Sequence, residues 1–184
     1  MNINKKLSMA CVISLMKMIV AASLLLTVSN VYAQEDLDAK YATELPKVGT
    51  VAPAFTLPTL DEKTVSLSDF KGKYVVLDFW ASWCPDCLRD IPEIQSLYKE
   101  FSAKGVVFVG VSFDNDKSRW QAAVEKYDIQ YLQCSELKKM READIAKQYG
   151  VKWIPSLVVV EPEGKIALST VLSSKVRTFI SGLF

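Results

Sequence analysis

Three nearly continuous apolar runs divide the chain and give its clearest structural signal. They cover residues 74–80, 106–113 and 157–160. Apolar runs of this length without polar alternation are typical of strands that are buried on both faces of a sheet. One charged residue, Asp78, stands inside the first run, where burial of a carboxylate is unfavourable unless it has a partner or a role.

Segments with helical periodicity separate these predicted strands. After the first run, apolar residues recur at helical spacing as far as Phe101, and Pro92 inside this pattern predicts a kink rather than an end. Further helices are predicted around 120–127, at 143–149 and after Ser173, which we expect to cap the last helix. Strands that alternate with helices predict an α/β fold with parallel strands in its sheet.

Two predicted hairpins complete the pattern. Residues 55–60 and 64–67 alternate weakly on either side of a turn at 61–63, which predicts an N-terminal β-hairpin. Near the other end, a turn at 162–164 predicts that residues 166–172 return antiparallel to the strand at 157–160. We therefore expect a central mixed β-sheet flanked by helices, with the first hairpin as an extension.

The first 33 residues differ in kind from the rest. They contain lysines but no acidic residue, then an apolar run at 18–28 and the small-x-small sequence Val31-Tyr32-Ala33. These parts are typical of a secretory signal peptide that is cleaved after Ala33, which predicts an exported, periplasmic protein. The alternative is an uncleaved membrane anchor. A translation start at Met16 rather than Met1 would give a more compact leader, with Lys17 followed by the apolar run.

The remaining chain has the length of one domain. Residues 34–48 are polar and predict a flexible lead-in, and residues 49–184 are expected to form the domain itself. The formal net charge is +1, so no strong field favours nucleic acid as a partner. We expect a monomer.

The stretch Cys84-Pro85-Asp86-Cys87 carries the candidate chemistry. It falls between a predicted strand and a predicted helix, so its first thiol stands at a helix N-terminus, where unpaired amides and the macrodipole favour a thiolate. We expect Cys84 to be the more exposed and more acidic thiol. A zinc site would need two further ligands, but the chain has no histidine, and Cys11 and Cys134 are isolated. The pair therefore favours redox chemistry that needs neither metal nor cofactor.

With these motifs the sequence resembles the thioredoxin superfamily, and within it the TlpA/ResA-like periplasmic thiol–disulfide oxidoreductases of the AhpC/TSA type. The resemblance extends from about Gly49 to the C-terminus. It rests on the active-site stretch 76–84, the opening segment 48–55, Pro92 and the dipeptide Ile154-Pro155. It implies a thioredoxin-like fold in which Cys84 attacks a substrate disulfide and Cys87 resolves the mixed disulfide.

The resemblance also implies roles for other residues and for partners. Asp78 would accept a proton from the resolving thiol, and Ile154 and Pro155, joined by a cis bond, would contact substrate together with Trp83 and Pro85. Trp153 would either line the substrate groove or be an ordinary surface aromatic residue. The implied substrates are protein disulfides, such as those of apocytochrome c or other exported proteins. The implied electron donor is a membrane thiol reductant.

Three positions depart from the thioredoxin pattern. Gly110 stands near the position where thioredoxins have a lysine, and Cys134 matches no family motif, so we expect it to be a half-buried small residue. Asp86 stands where strong oxidants of the DsbA kind have histidine. Because a carboxylate disfavours a neighbouring thiolate, Asp86 predicts a reductase rather than an oxidant.

Two other classes of function share this fold. A peroxiredoxin-type thiol peroxidase would need threonine and proline before its cysteine, but Ala81 and Leu77 stand at those positions. The other is a non-catalytic module that binds a metal or a partner, and its copper-delivery form would want a wider cysteine spacing and a histidine, which this chain lacks. Both alternatives are therefore weaker than the oxidoreductase.

Overall fold

The computed structural model of the protein describes residues 36–184. The predicted signal peptide at residues 1–33 lies outside this described part. Between residues 36 and 184, no helix combines the length and the apolar character that a membrane span requires.

Seven strands and five α-helices make up the described chain. In order, they are α1 (Leu37–Tyr41), β1 (Thr56–Pro58), β2 (Thr64–Ser66), β3 (Val75–Trp80), α2 (Pro85–Phe101), β4 (Val107–Ser112), α3 (Lys117–Lys126), β5 (Leu132–Ser135), α4 (Asp144–Gln148), β6 (Ser156–Val160), β7 (Ile166–Thr170) and α5 (Ser173–Ser181). Short 3-10 turns occupy Leu67–Phe70 and Ser102–Lys104.

The central sheet is mixed, as the sequence predicts. Its strand order is β5-β4-β3-β6-β7, with β3, β4 and β5 parallel and with β6 and β7 antiparallel to their neighbours. All six residues of β3 are buried, which explains its nearly continuous apolar sequence. The strands β1 and β2 pair antiparallel as the predicted hairpin. The chain therefore has the thioredoxin-like α/β architecture.

Helix α2 begins at the cysteine pair and packs an apolar face that includes Ile91, Ile94 and Leu97. Pro92 lies inside the helix, which continues to Phe101 as predicted. The prediction for Ser173 is wrong: Leu172 is the N-cap residue of α5, and Ser173 is the first helical residue. Its hydroxyl instead donates a 2.5 Å hydrogen bond to Asp90 of α2, and this bond joins the two helices.

The segment at 34–48, for which the sequence predicts a flexible lead-in, contains helix α1 in its described part. The carboxylate of Asp38 accepts hydrogen bonds from the Thr170 hydroxyl and from the backbone N–H of Val171, at 2.8 Å each. Leu45 is buried, and Tyr41 stacks on Trp153 with ring centroids 4.3 Å apart. These contacts hold the segment against the end of β7 and the loop before β6.

Candidate active site

Cys84 and Cys87 are disulfide-bonded at the N-terminus of α2, with their Cα atoms 5.3 Å apart. Cys84 is the N-cap residue, with extended backbone angles, and its Sγ accepts a hydrogen bond from the backbone N–H of Cys87 at 3.1 Å. Pro85 occupies the first turn, where a missing amide donor has no consequence. Both sulfur-bearing residues are buried in this state, Cys84 at 5% and Cys87 at 3% exposure, so the expected difference in exposure is small.

The loop before β6 forms the opposite wall of the site. The Ile154–Pro155 peptide bond is cis, as the resemblance implies. The carbonyl oxygen of Ile154 lies 3.6 Å from the Sγ of Cys84, so this dipeptide and the disulfide are neighbours.

Two exposed tryptophans directly precede Cys84 and Ile154 in the sequence. Trp83, before Cys84, is 56% exposed, and Trp153, before Ile154, is 39% exposed. Large aromatic side chains that remain this accessible beside a buried disulfide give the site an apolar rim. The stack with Tyr41 orients the Trp153 ring.

Asp114 anchors the segment that leads into the cysteines. Its carboxylate accepts hydrogen bonds from the Ser82 backbone N–H at 2.9 Å, from the Ser82 hydroxyl at 2.6 Å and from the Ser112 hydroxyl at 2.7 Å. Its position directly after a buried strand is the sequence signal that could have identified it, because the carboxyl ends of parallel strands meet at one sheet edge.

Asp78 is buried in β3, between Gly110 of β4 and Leu157 of β6. Its Oδ2 accepts a 2.7 Å hydrogen bond from the hydroxyl of Tyr131, a residue that sequence reasoning missed. Burial raises the pKa of Asp78 to about 7, the Tyr131 hydrogen bond opposes this rise, and the negative charge of Asp90 adds to it. The carboxyl therefore titrates in the neutral range rather than near 4.

Asp86 lies in the first turn of α2 and forms an ion pair with Arg89 three residues later. The Arg89 side chain is largely exposed, and the Asp86 side chain is about half exposed. Solvent and the guanidinium therefore both weaken the effect of the Asp86 charge on the cysteines.

Cys134 differs from the sequence expectation, and Gly110 lies opposite Asp78 in the sheet. Cys134 is completely buried rather than half-buried, because β5 lies between β4 and the first hairpin, and burial raises the pKa of its thiol to about 12. Next to it, the carboxamide of Gln133 fills the space beside Gly110 and accepts a 2.9 Å hydrogen bond from the indole N–H of Trp80.

Among residues 36–184, no cluster of three or more histidine, cysteine or acidic side chains could hold a metal ion.

Comparison with known proteins agrees with this architecture. Residues 48–169 match the AhpC/TSA family, and the chain belongs to that family. The thiol-disulfide oxidoreductase ResA of Oceanobacillus iheyensis is 31% identical over 157 residues, which is 83% of this chain and 76% of that protein.

Solved structures give the same result for the fold. The thioredoxin domain of a thiol-disulfide oxidoreductase from Bacteroides vulgatus superposes with a TM-score of 0.69 and 33% identity, over 75% of this chain and 98% of that one. A thiol:disulfide interchange protein from a Bacteroides species superposes with a TM-score of 0.67 and 34% identity, over 74% and 89%. The protein is therefore a thiol–disulfide oxidoreductase of the thioredoxin-like fold.

Proposed function

We propose that the protein is an exported reductase of protein disulfides, with Cys84 as the attacking thiol and Cys87 as the resolving thiol. The observation that carries this assignment is the hydrogen bond from the Cys87 N–H to the Cys84 sulfur at the helix N-terminus. In the reduced protein the same donor and the helix dipole stabilise a Cys84 thiolate, which is the form that attacks a disulfide.

The reaction transfers two electrons from the dithiol to the substrate. The Cys84 thiolate attacks one substrate sulfur, a mixed disulfide forms, and the other substrate sulfur leaves as a thiolate that takes up a proton. Cys87 then gives its proton to a base and attacks Cys84, so the Cys84–Cys87 bond forms and the second substrate thiolate is released. The protein ends oxidised, as the structure presents it, and a thiol donor must reduce it again.

Asp78 is the proposed proton acceptor for Cys87. A base works best when its pKa lies close to the working pH, and burial raises the pKa of Asp78 to about 7. An ordinary exposed aspartate, with a pKa near 4, would be a much weaker base for a thiol.

The substrate surface consists of Trp83, Pro85, Ile154 and Pro155, and the exposed face of Trp153 extends it. A protein segment that carries a disulfide would lie across this apolar rim, next to the Ile154 carbonyl. The substrates are protein disulfides of exported proteins, apocytochrome c being one candidate, and a membrane thiol carrier supplies electrons. The leader at residues 1–33 supports export, and the exported protein should begin at Gln34.

The test is to trap mixed disulfides in the native cell. A Cys87→Ala variant cannot resolve the intermediate, so it should accumulate partners bound through Cys84, and mass spectrometry would identify them. Cys84→Ala should trap no partners. Cys134→Ala is the matched control: the Cys134 thiol is buried, so this variant should behave like the wild type. Trapping through Cys134, or no trapping by Cys87→Ala, would contradict the assignment. Parallel assays of insulin reduction and peroxide consumption separate the oxidoreductase from a thiol peroxidase.

A further inference from the structure

We propose that Tyr131 is a positioning residue for the thiol–disulfide exchange: its hydroxyl holds Asp78 in the carboxylate form that takes the proton of Cys87. The inference rests on the proposed role of Asp78 and extends it to a residue just before β5. Its basis is one buried hydrogen bond and the set of groups that face the carboxyl.

The hydroxyl of Tyr131 is fixed in place by the surrounding ring contacts. Tyr131 is 3% exposed, and its ring packs against Tyr98 at 5.9 Å and Phe108 at 6.4 Å between centroids. Because the ring cannot turn away without leaving this cluster, its hydroxyl remains directed at Asp78 Oδ2, 2.7 Å away. A donor held in this way stabilises a carboxylate more than a neutral carboxyl.

The other groups around Asp78 do not supply a comparable donor. Its sheet neighbours are Gly110 and Leu157, which carry no ionisable side chain. From α2 comes Asp90, a like charge that disfavours ionisation. Among residues 36–184, Tyr131 is thus the group that lowers the pKa of Asp78 and favours its charged form.

The packing around Gly110 explains why Tyr131, rather than a side chain at position 110, donates the hydrogen bond to Asp78. A Cβ atom added at Gly110 would lie 2.3 Å from the Nε2 atom of Gln133, so the space beside Gly110 is already filled. A long side chain at 110, opposite Asp78, has no room unless Gln133 moves. The donor to Asp78 comes instead from the chain just before β5, and Gln133 keeps its hydrogen bond to Trp80.

Loss of the hydroxyl should therefore make Asp78 a poorer proton acceptor at neutral pH. The hydrogen bond lowers the pKa of Asp78, so Tyr131→Phe should raise it further. A carboxyl that stays protonated cannot take the proton of Cys87, and resolution of the mixed disulfide should need a higher pH. For a hydrogen bond to a charged group, the expected upward shift is about one to two pH units.

The experiment compares wild type, Tyr131→Phe and Tyr149→Phe. Tyr149 is the matched control, since its buried hydroxyl also donates one 2.7 Å hydrogen bond, but to the carbonyl of Pro53. The Asp78 carboxyl carbon is followed by NMR, and the resolution rate is measured by acid quench, both from about pH 5 to about pH 10. Both midpoints should move upward in Tyr131→Phe and stay unchanged in Tyr149→Phe.

The outcomes separate this inference from the proposed function beneath it. Unchanged midpoints in Tyr131→Phe, or an equal shift in Tyr149→Phe, would overturn the role of Tyr131 while leaving that of Asp78 intact. If Asp78→Asn resolves mixed disulfides at the wild-type rate, the role of Asp78 itself fails. Should Tyr131→Phe not fold, the wild type still decides: the Cζ resonance of Tyr131 must shift with the same midpoint as the Asp78 carboxyl, and independent behaviour refutes the coupling.

Discussion

At the scale of single residues, a carboxyl inside an apolar strand is unfavourable mainly when it is ionised. Asp78 is buried, and Asp90 on the neighbouring helix α2 adds a like charge, so the folded protein favours the protonated acid. The same tendency that opposes ionisation brings the pKa into the range where a base is useful. Stability and the proposed proton transfer from Cys87 thus share one equilibrium, the ionisation of Asp78, and its effect on stability can be measured without any substrate.

We expect the stabilising contribution of Asp78 in the oxidised protein to fall as the pH rises from about 4 to about 7. The folded protein binds a proton at Asp78 up to about pH 7, whereas the unfolded chain loses it near 3.8. Stability from this proton is complete below the unfolded value and disappears as the pH passes the folded one. Asp78→Asn removes the effect, so its advantage over wild type should grow by on the order of 4 kcal/mol. Urea unfolding across this pH range measures the difference, and a constant difference would contradict the raised pKa.

The cysteines should differ strongly in reactivity once the disulfide is reduced. Cys134 is completely buried and has a pKa of about 12, so almost none of it is a thiolate at neutral pH. Cys84 stands at a helix N-terminus with a backbone donor to its sulfur. Brief alkylation near pH 7 followed by peptide mapping should find label at Cys84 first and at Cys134 last. Early label at Cys134 or Cys87 would reverse the assignment of the nucleophile.

At the scale of elements, the carboxylate of Asp38 links the short helix α1 to distant parts of the chain. Asp38 accepts hydrogen bonds from Thr170 and Val171 and pairs with Lys175 at 2.6 Å, so one carboxylate joins α1 to the end of β7 and to α5. A helix of five residues is not stable in isolation, so these contacts determine whether it forms. Because Tyr41 at its end stacks on Trp153, the helix also supports the rim of the active site.

Asp38→Ala should destabilise the protein by about 1–2 kcal/mol, because it leaves a backbone N–H and a partly buried hydroxyl without their acceptor. Asp61→Ala is the matched control: it removes an exposed carboxylate paired with Lys63 and should change stability very little. Urea unfolding of the three proteins at neutral pH measures both effects. Equal stability of Asp38→Ala and wild type would mean that α1 is not held by this carboxylate.

The elements predicted from sequence are those with a local pattern. The apolar runs gave the three buried strands, and the helical spacing around Pro92 gave α2. Helix α1 carries no such pattern, since it buries none of its residues and is held by partners more than a hundred residues away. The correction at Ser173 has the same origin, because its hydroxyl bonds to Asp90 on another helix.

The residues of the candidate site also form two groups: those that a local motif reveals and those that only the fold brings together. The cysteines and the cis-proline belong to contiguous motifs and could be recognised directly in the sequence. Tyr131 meets Asp78 across 53 positions and Asp114 meets Ser82 across 32, and only the register of the sheet brings these pairs together. Sequence alone gave the strands but not the register, so the partners of the buried carboxylates stayed hidden.

At the scale of the whole molecule, the mixed sheet brings the functional groups to one edge. The parallel strands β3 and β4 end there, which delivers Cys84 and Asp114. Strand β6 runs in the opposite direction, so its beginning, directly after the Ile154–Pro155 bond, lies at the same edge. The geometry of the site thus follows from the fold. The reduction potential should depend in addition on the charged side chains in the first turn of α2.

We expect the Cys84–Cys87 couple to have a reduction potential nearer thioredoxin's, about −270 mV, than DsbA's, about −120 mV. The helix N-terminus and the Cys87 N–H stabilise the Cys84 thiolate, but the adjacent Asp86 carboxylate opposes it. Less stabilisation of the reduced form makes the disulfide harder to reduce and the dithiol a better donor. Arg89 offsets part of this effect through its ion pair with Asp86.

Two variants should therefore move the potential in opposite directions. Asp86→His removes the negative charge and should make the couple more oxidising. Arg89→Gln removes the offsetting cation and should make the couple more reducing, by a smaller amount because the Arg89 side chain is largely exposed and screened by solvent. Equilibration of the three proteins with glutathione or dithiothreitol redox buffers gives each potential. A wild-type value near the DsbA end would contradict the reductase direction, and shifts of the same sign in both variants would mean that the Asp86 charge does not act on the thiolate.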